Sequence, residues 1–352
     1  MAEIRRKTAA LLKRMSAELA QETTQKFFHL HPELEEKYGA MGREKCRQDA
    51  QYHLSYLIEA VGAGSMTLFS DYVLWTQEVL ETRKVPVKDL HEHLIILKDV
   101  IALHLPIDQY VRVANHLNNA LQLLEEKNGL EPQPEEPLEP LAQTYLELLL
   151  AGKRKEANDM ILQEVAQGME VKELYLTVFQ PVQHRVGRLW QTNKITVAQE
   201  HFCTAITQSI MSQLYPYIFG SERNGYKLLA SCVAGDLHEL GLRMVSDFFE
   251  MEGWDTYYLG ANVPTASILS SLREHQPDLL LLSATMTFHV QALKDIIRAV
   301  RAAEDLQEIK IMVGGYPFNL EEELWREVGA DGYGANAKEA MELALGLVSV
   351  RK

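Results

Sequence analysis

The chain is 352 residues long, 47% hydrophobic and 24% charged, which suits two or three ordinary globular domains. A net charge of −14, spread along the sequence and heaviest in its last third, leaves no basic stripe to grip nucleic acid. No apolar run reaches about 18 residues and no basic-then-apolar leader opens the sequence, so neither a membrane span nor a secretory signal is expected.

Residues 1–127 predict helices throughout. Apolar side chains recur at helical spacing, as in Leu54, Leu57, Ile58 and Val61 and again in Leu94, Leu97, Val100 and Ile101. Breaks are expected near Pro32–Gly39, Gly62–Ser65, Val85–Pro86 and Pro106. The cations Arg5, Arg6, Lys7, Lys13 and Arg14 read as a solvated face of the first helix. Histidines (His29, His31, His53, His91, His93, His104, His116) and aromatics (Tyr52, Tyr56, Phe69, Tyr72, Trp75) are frequent in this block. On residues alone it is a helical dimerisation or scaffold domain with surface histidines. Residues 128–140 hold four prolines and four glutamates, a stiff and solvated linker.

A second helical block, residues 141–221, centres on Leu141–Leu150, Glu156–Gln167, Val171–Leu189 and Val197–Tyr215. From Tyr226 the pattern changes. Strand-like runs Lys227–Val233, Thr256–Leu259, Leu279–Ser283 and Ile309–Val313, then a short one within Gly329–Gly334, alternate with helix-like segments Leu240–Met251, Thr265–His275, Val290–Ala303, Glu321–Val328 and Ala337–Val348. The fold class expected for the whole is α plus α/β: an all-helical N-terminal domain, a helical bundle, then a doubly wound parallel sheet of flavodoxin-like type over 226–352. No internal repeat is visible. Cys46, Cys203 and Cys232 are widely spaced and odd in number, so they suggest neither zinc nor disulfides, and a reducing cytoplasm is the expected location.

Three turns fall where strands of this sheet should end. Asp236-Leu237-His238-Glu239-Leu240-Gly241 follows the first strand and puts one imidazole at the ligand-binding edge of an α/β sheet. An Asp two residues earlier can orient that ring. Ser283-Ala284-Thr285 follows the third run, and Gly314-Gly315 follows the fourth, ahead of Tyr316. Hydroxyls and bare glycine backbone there can flank one elongated ligand. Dinucleotide and Walker glycine patterns are absent from the first strand.

Together, Asp236-x-His238-x-x-Gly241, Ser283-x-Thr285 and Gly314-Gly315 resemble the signature of the cobalamin-binding domain. The resemblance covers 226–352. It implies that His238 is the lower axial cobalt ligand and Asp236 its partner. It further implies that Leu237, Gly241, Ser283, Thr285, Gly314, Gly315 and Tyr316 line the corrin edge and the slot for the displaced nucleotide tail. In the helical block, Trp190 is followed after nine residues by Glu200-His201. Alone these are ordinary packing residues. Beside a cobalamin domain they resemble the cap of light-sensing cobalamin proteins. That resemblance implies an adenosyl group shielded by Trp190 and contacted by Val197, Glu200 and His201. The position after Trp190, a His in light-dependent transcription regulators of this family, is Gln191 here, so His184, His201 or water is left to take the upper face.

The domain order resembles photocobilins, which pair adenosylcobalamin with biliverdin held in an N-terminal helical domain. It implies bilin propionates near Arg43 and Arg47, and rings near His53, Tyr56 and Trp75, held without a covalent bond to Cys46. The expected function is therefore a cytoplasmic, non-enzymatic photoreceptor with no catalytic residues. Photolysis would shift its cap and its homo-oligomeric state, a dimer or a light-dependent oligomer, and pass a signal to an unknown protein rather than to DNA. The alternative is a corrinoid methyl-carrier subunit of a methyltransferase system, and a third reading is a passive cobalamin store.

Overall fold

A computed structural model describes residues 2–127 and 136–349, so the linker positions 128–135 lie outside the described residues. The chain divides into two compact units. One is built on the N-terminal helices together with the segments Met286–Gln291 and Leu320–Leu324, and the other holds the remaining chain after the linker.

The N-terminal unit contains α1 (Ala2–Leu30), α2 (Pro32–Ala63), α3 (Met66–Thr82), α4 (Val87–His104) and α5 (Ile107–Lys127). The expected breaks are where helix chemistry fails. Pro32 opens α2, Gly39 (φ 60°, ψ −160°) interrupts it, and Gly64 (φ 75°) ends it in the left-handed region that glycine tolerates. Ser65 then caps α3 by accepting from Leu68 N–H. The apolar stripes meet in a core that includes Leu12, Leu54, Leu57, Leu94, Leu97 and Leu117, all at 0% exposure. His53, His93 and His116 are buried rather than on the surface, which corrects the surface-histidine expectation for these positions. Burying an imidazole favours its neutral form, and all three are held below the usual histidine range.

The second unit opens with a bundle of α6 (Pro140–Leu150), α7 (Arg154–Ala166), α8 (Val171–Leu174), α9 (Gln180–Gln191), α10 (Val197–Gln213) and α11 (Tyr215–Ile218). A π-helical turn at Tyr175–Phe179 joins α8 to α9, where the sequence predicts one plain helix. Such single turns insert one residue and re-aim the downstream helix. Tyr145, Tyr175 and Phe179 fill the bundle core.

The sheet runs in the order β2 (Asp255–Tyr258), β1 (Lys227–Cys232), β3 (Leu279–Ser283), β4 (Lys310–Gly314), β5 (Gly332–Tyr333), with every pairing parallel. α12 (Leu240–Met251), α13 (Thr265–His275), α14 (Val290–Ala302), α15 (Tyr316–Leu320), α16 (Leu324–Val328) and α17 (Ala337–Ser349) complete the α/β part. All five residues of β3 are buried, as expected of a parallel strand covered on both faces. One helix differs from expectation. Gly315 (φ +108°) turns the chain so sharply that α15 begins at once, and the predicted Glu321–Val328 helix shortens to α16. No described helix is long and apolar enough to cross a membrane.

Candidate cofactor site

Parallel register brings the three sequence turns to one level. Cys232 pairs with Ser283, and Ser283 pairs with Gly314, so β1, β3 and β4 end side by side. The strand order reverses between β1 and β3, the switch point at which open α/β sheets leave a crevice. His238 and Ser283–Thr285 flank that crevice.

Asp236 is wholly buried and organises the turn. Its Oδ1 accepts from the His238 backbone N–H at 3.0 Å and from His238 Nδ1 at 2.9 Å. Its Oδ2 accepts the Thr285 N–H at 2.7 Å, tying the first motif to the second. An ionised carboxylate only accepts, so the imidazole proton stays on Nδ1 and the Nε2 lone pair is left for a metal. The hydrogen bond that Asp236 accepts from the ring also raises the His238 pKa against the opposing effect of burial, with a smaller contribution from Glu200. The His238 side chain is 58% exposed although its acid is fully buried, so a fixed ring is presented to the crevice. Burial pushes the nearby Cys232 thiol up to about 12, so it stays protonated and its Sγ rests 3.8 Å from the His238 carbonyl oxygen.

The glycines shape the space. A Cβ on Gly315 would lie 2.1 Å from Ala284 O, so β4 turns off directly against the end of β3. A Cβ on Gly241 would meet nothing within 4 Å, so there the bare backbone faces open space. Leu237 (72% exposed) and Tyr316 (51%) leave apolar surface uncovered at the same edge. Among the described residues no three His, Cys, Asp or Glu side chains are arranged to hold a bare ion. A single oriented imidazole therefore suits a metal that arrives inside a macrocycle. The residues present fit a corrinoid.

The bundle carries the other candidate residues. Trp190 lies near the end of α9, and Val197 opens α10 behind a capping box between Thr196 and Gln199. Glu200 Oε2 lies 2.5 Å from His201 Nδ1, and His201 is otherwise exposed. Thr204 bonds to Glu200 and to Gln183, Gln183 donates to Thr207, and Thr207 meets the buried Tyr145 hydroxyl at 3.0 Å. Sequence reasoning missed this ladder, because each member is an ordinary helix residue until α6, α9 and α10 pack. It missed Glu239 too, which accepts from Gln208 of α10 at 2.9 Å and from Tyr258 of β2 at 3.0 Å, beside His238.

In the N-terminal unit, His53 Nδ1 lies 2.8 Å from the Tyr72 hydroxyl, Tyr56 stacks on Tyr72 at 3.6 Å, and Trp75 lies 6.4 Å from Tyr72. Three of the five candidate bilin residues thus share an aromatic cluster. Arg43 and Arg47 lie earlier on α2 and pair with Glu35 and Glu44. Burial pushes Cys46 up to about 12, which leaves little thiolate.

Family comparisons divide the chain in the same places. Residues 226–342 match a B12 binding domain, and residues 141–215 match a further B12 binding domain model. The chain carries B12-binding domains. Residues 1–124 match the family described as Phycobilisome protein. Dimethylamine corrinoid protein 3 of Methanosarcina acetivorans is 30% identical over 126 residues, 36% of this chain and 58% of that protein. Dimethylamine corrinoid protein 1 of Methanosarcina mazei is 25% identical over 209 residues, 58% of this chain and 95% of its own length. Against dimethylamine corrinoid protein 2 of M. acetivorans, 34% identical, the alignment spans 32% of this chain and 54% of that protein, so the chain spans little more than half of some relatives. The solved monomethylamine corrinoid protein of Methanosarcina barkeri shares the fold at a TM-score of 0.53 and 20% identity, over 59% of this chain and 98% of that one.

These relatives overturn the photoreceptor expectation, because they are methylamine corrinoid proteins. The physical reason is that the residues at the strand ends are suited to holding a cofactor and carry no information on the group it reacts with.

Proposed function

We propose that this chain is a corrinoid protein that holds a cobalamin-borne methyl group and presents it to partner methyltransferases. When bound, a cobalamin supplies a cobalt centre able to accept and release a methyl group. His238 would hold the group through Nε2, and Asp236 keeps the proton at Nδ1 and the ring in place. Gly314 and Gly315, with Ser283 and Thr285, would leave room for a tail beside β3. Trp190, Val197, Glu200 and His201 would shield the reactive group from water, and α9 and α10 would move aside to admit a partner.

The observation that carries this reading is the His238–Asp236–Thr285 chain of bonds at the switch point, joined to a helical wall of the corrinoid-protein type. The test loads the chain with cobalamin, reduces it with titanium(III) citrate to cob(I)alamin, and supplies a methylamine:corrinoid methyltransferase with its methylated amine. Transfer of the methyl group onto the bound cobalt, with release of the demethylated amine, is expected in the wild type and is expected to be lost in His238→Ala. Stable cobalamin binding without any methyl transfer would refute the carrier reading.

A second reading concerns the helical unit. Supported by the Phycobilisome match and by the Tyr56, Tyr72 and Trp75 cluster, we propose that it holds an open-chain tetrapyrrole such as biliverdin without a covalent link. Co-expression with a biliverdin source should give far-red absorbance that Trp75→Ala and Tyr56→Ala weaken. A colourless product would dismiss it.

A further inference from the structure

We propose that Asn262, in the β2–α13 loop and outside the three sequence motifs, is a positioning residue for the lower axial ligand. The inference rests on His238 serving as that ligand. Asp236 is held from the turns that follow β1, β2 and β3. Its carboxylate takes His238 and Thr285, as described, and its main chain is clamped from the third side. The Asn262 backbone N–H donates to the Asp236 carbonyl oxygen at 2.9 Å, and the Asn262 side-chain Oδ1 accepts the Gly235 N–H at 2.8 Å. One residue therefore holds the peptide groups on either side of the Gly235–Asp236 pair.

The backbone geometry makes this grip specific. Asn262 has φ +53°, in the left-handed region that only Gly, Asn and Asp enter readily, and it is one of four non-glycine residues in the described chain to do so. Its neighbours are pinned to β1: Cys232 N–H donates to Gly260 O, and Val233 forms a parallel bridge with Val263. The loop is thus anchored to the strand that launches the His238 turn. Released from Asn262, the peptide groups flanking Gly235 and Asp236 can rotate. That rotation would misplace Asp236, and with it the imidazole, without removing any group that touches cobalt.

The test compares Asn262→Gly, which keeps the left-handed backbone and loses the Oδ1 acceptor, with Asn262→Asp, which keeps both. Each is loaded with methylcobalamin, and the nitrogen-ligated fraction is read from the visible spectrum and cofactor retention from dialysis; the unloaded protein reports His238 Nδ1–H by nitrogen-15 NMR. Loss of an outer partner typically weakens a metal site tenfold or more. Asn262→Gly is accordingly expected to weaken retention about tenfold and lower the ligated fraction. Its circular dichroism should be unchanged, its Nδ1–H signal shifted, and Asn262→Asp should restore both. Wild-type values in Asn262→Gly, alongside loss of ligation in His238→Ala, would overturn the inference alone. An unchanged spectrum in His238→Ala would remove the lower-ligand reading, and this inference with it.

Discussion

Asp236 accepts three hydrogen bonds on one buried carboxylate, and removing it should do more harm than removing any exposed group at the site. Asp236→Ala leaves the Thr285 N–H and the imidazole unpaired, with an expected loss of cobalamin affinity of about 10–100-fold. Equilibrium dialysis checks it, and retained affinity would show that the ring is held by other means. Gly315→Ala is a different test, since the added methyl would meet Ala284 O at 2.1 Å on a backbone with φ +108°. A destabilisation of roughly 2–4 kcal/mol is expected in denaturant unfolding, and a cost below about 0.5 kcal/mol would mean that β3 and β4 can separate there. These residues were legible in the sequence because each motif is a local string at a strand end. Asn262 and Glu239 were not, because their partners are residues brought near only by folding.

At the scale of elements, the helical bundle is joined to α12 by polar contacts, the Tyr175–Asp247 one buried. Tyr175, in the π-helical turn, donates to Asp247 at 2.8 Å, and Arg243 reaches Ser212 and Tyr215. Burial pushes the Asp247 carboxyl up to about 6 despite the Tyr175 bond. A folded pKa above the usual value means that the protonated form favours the fold. That contribution is complete below about pH 4 and lost as pH rises through about 6. Asp247→Asn keeps an acceptor for Tyr175 without the charge. It is expected to flatten the stability profile between these limits and to gain roughly 1–3 kcal/mol at pH 8. Urea titrations at pH 4 and 8 decide it, and a variant less stable than wild type at pH 8 would contradict the argument. The helices and strands themselves were readable from periodicity. The π-turn was not, since nothing in Tyr175–Phe179 departs from an ordinary amphipathic pattern.

At the scale of the whole molecule, two units carry different pH sensitivities. In the helical unit, His53 is held well below the usual range and His93 is pushed down to about 4 by burial. Depressed histidine pKa values contribute stability that is present above about 6.5 and lost as pH falls toward 4. Asp49, raised to about 6, acts in the opposite sense. His93→Leu should therefore reduce the acid-side loss of thermal stability, read as the slope of Tm between pH 6.5 and 4.5; identical slopes would show that His93 does not titrate with unfolding. At this scale the sequence was clear about architecture and misleading about purpose. The lower-face residues bond to one another, so their pattern identifies the cofactor, and the upper wall fits more than one cargo. The corrinoid-protein relatives count against the light-sensing reading and support the methyl-carrier proposal.

We propose that His238, held by Asp236, is the histidine that would ligate cobalt in the loaded protein. Electron paramagnetic resonance of the chain loaded with cob(II)alamin, with and without nitrogen-15 in its histidines, measures this. In the wild type each cobalt line should split into a triplet that becomes a doublet on histidine labelling; in His238→Ala any splitting comes from the cofactor's own benzimidazole and should not respond to the label. A label-sensitive splitting in His238→Ala, or none in the wild type, would contradict the assignment.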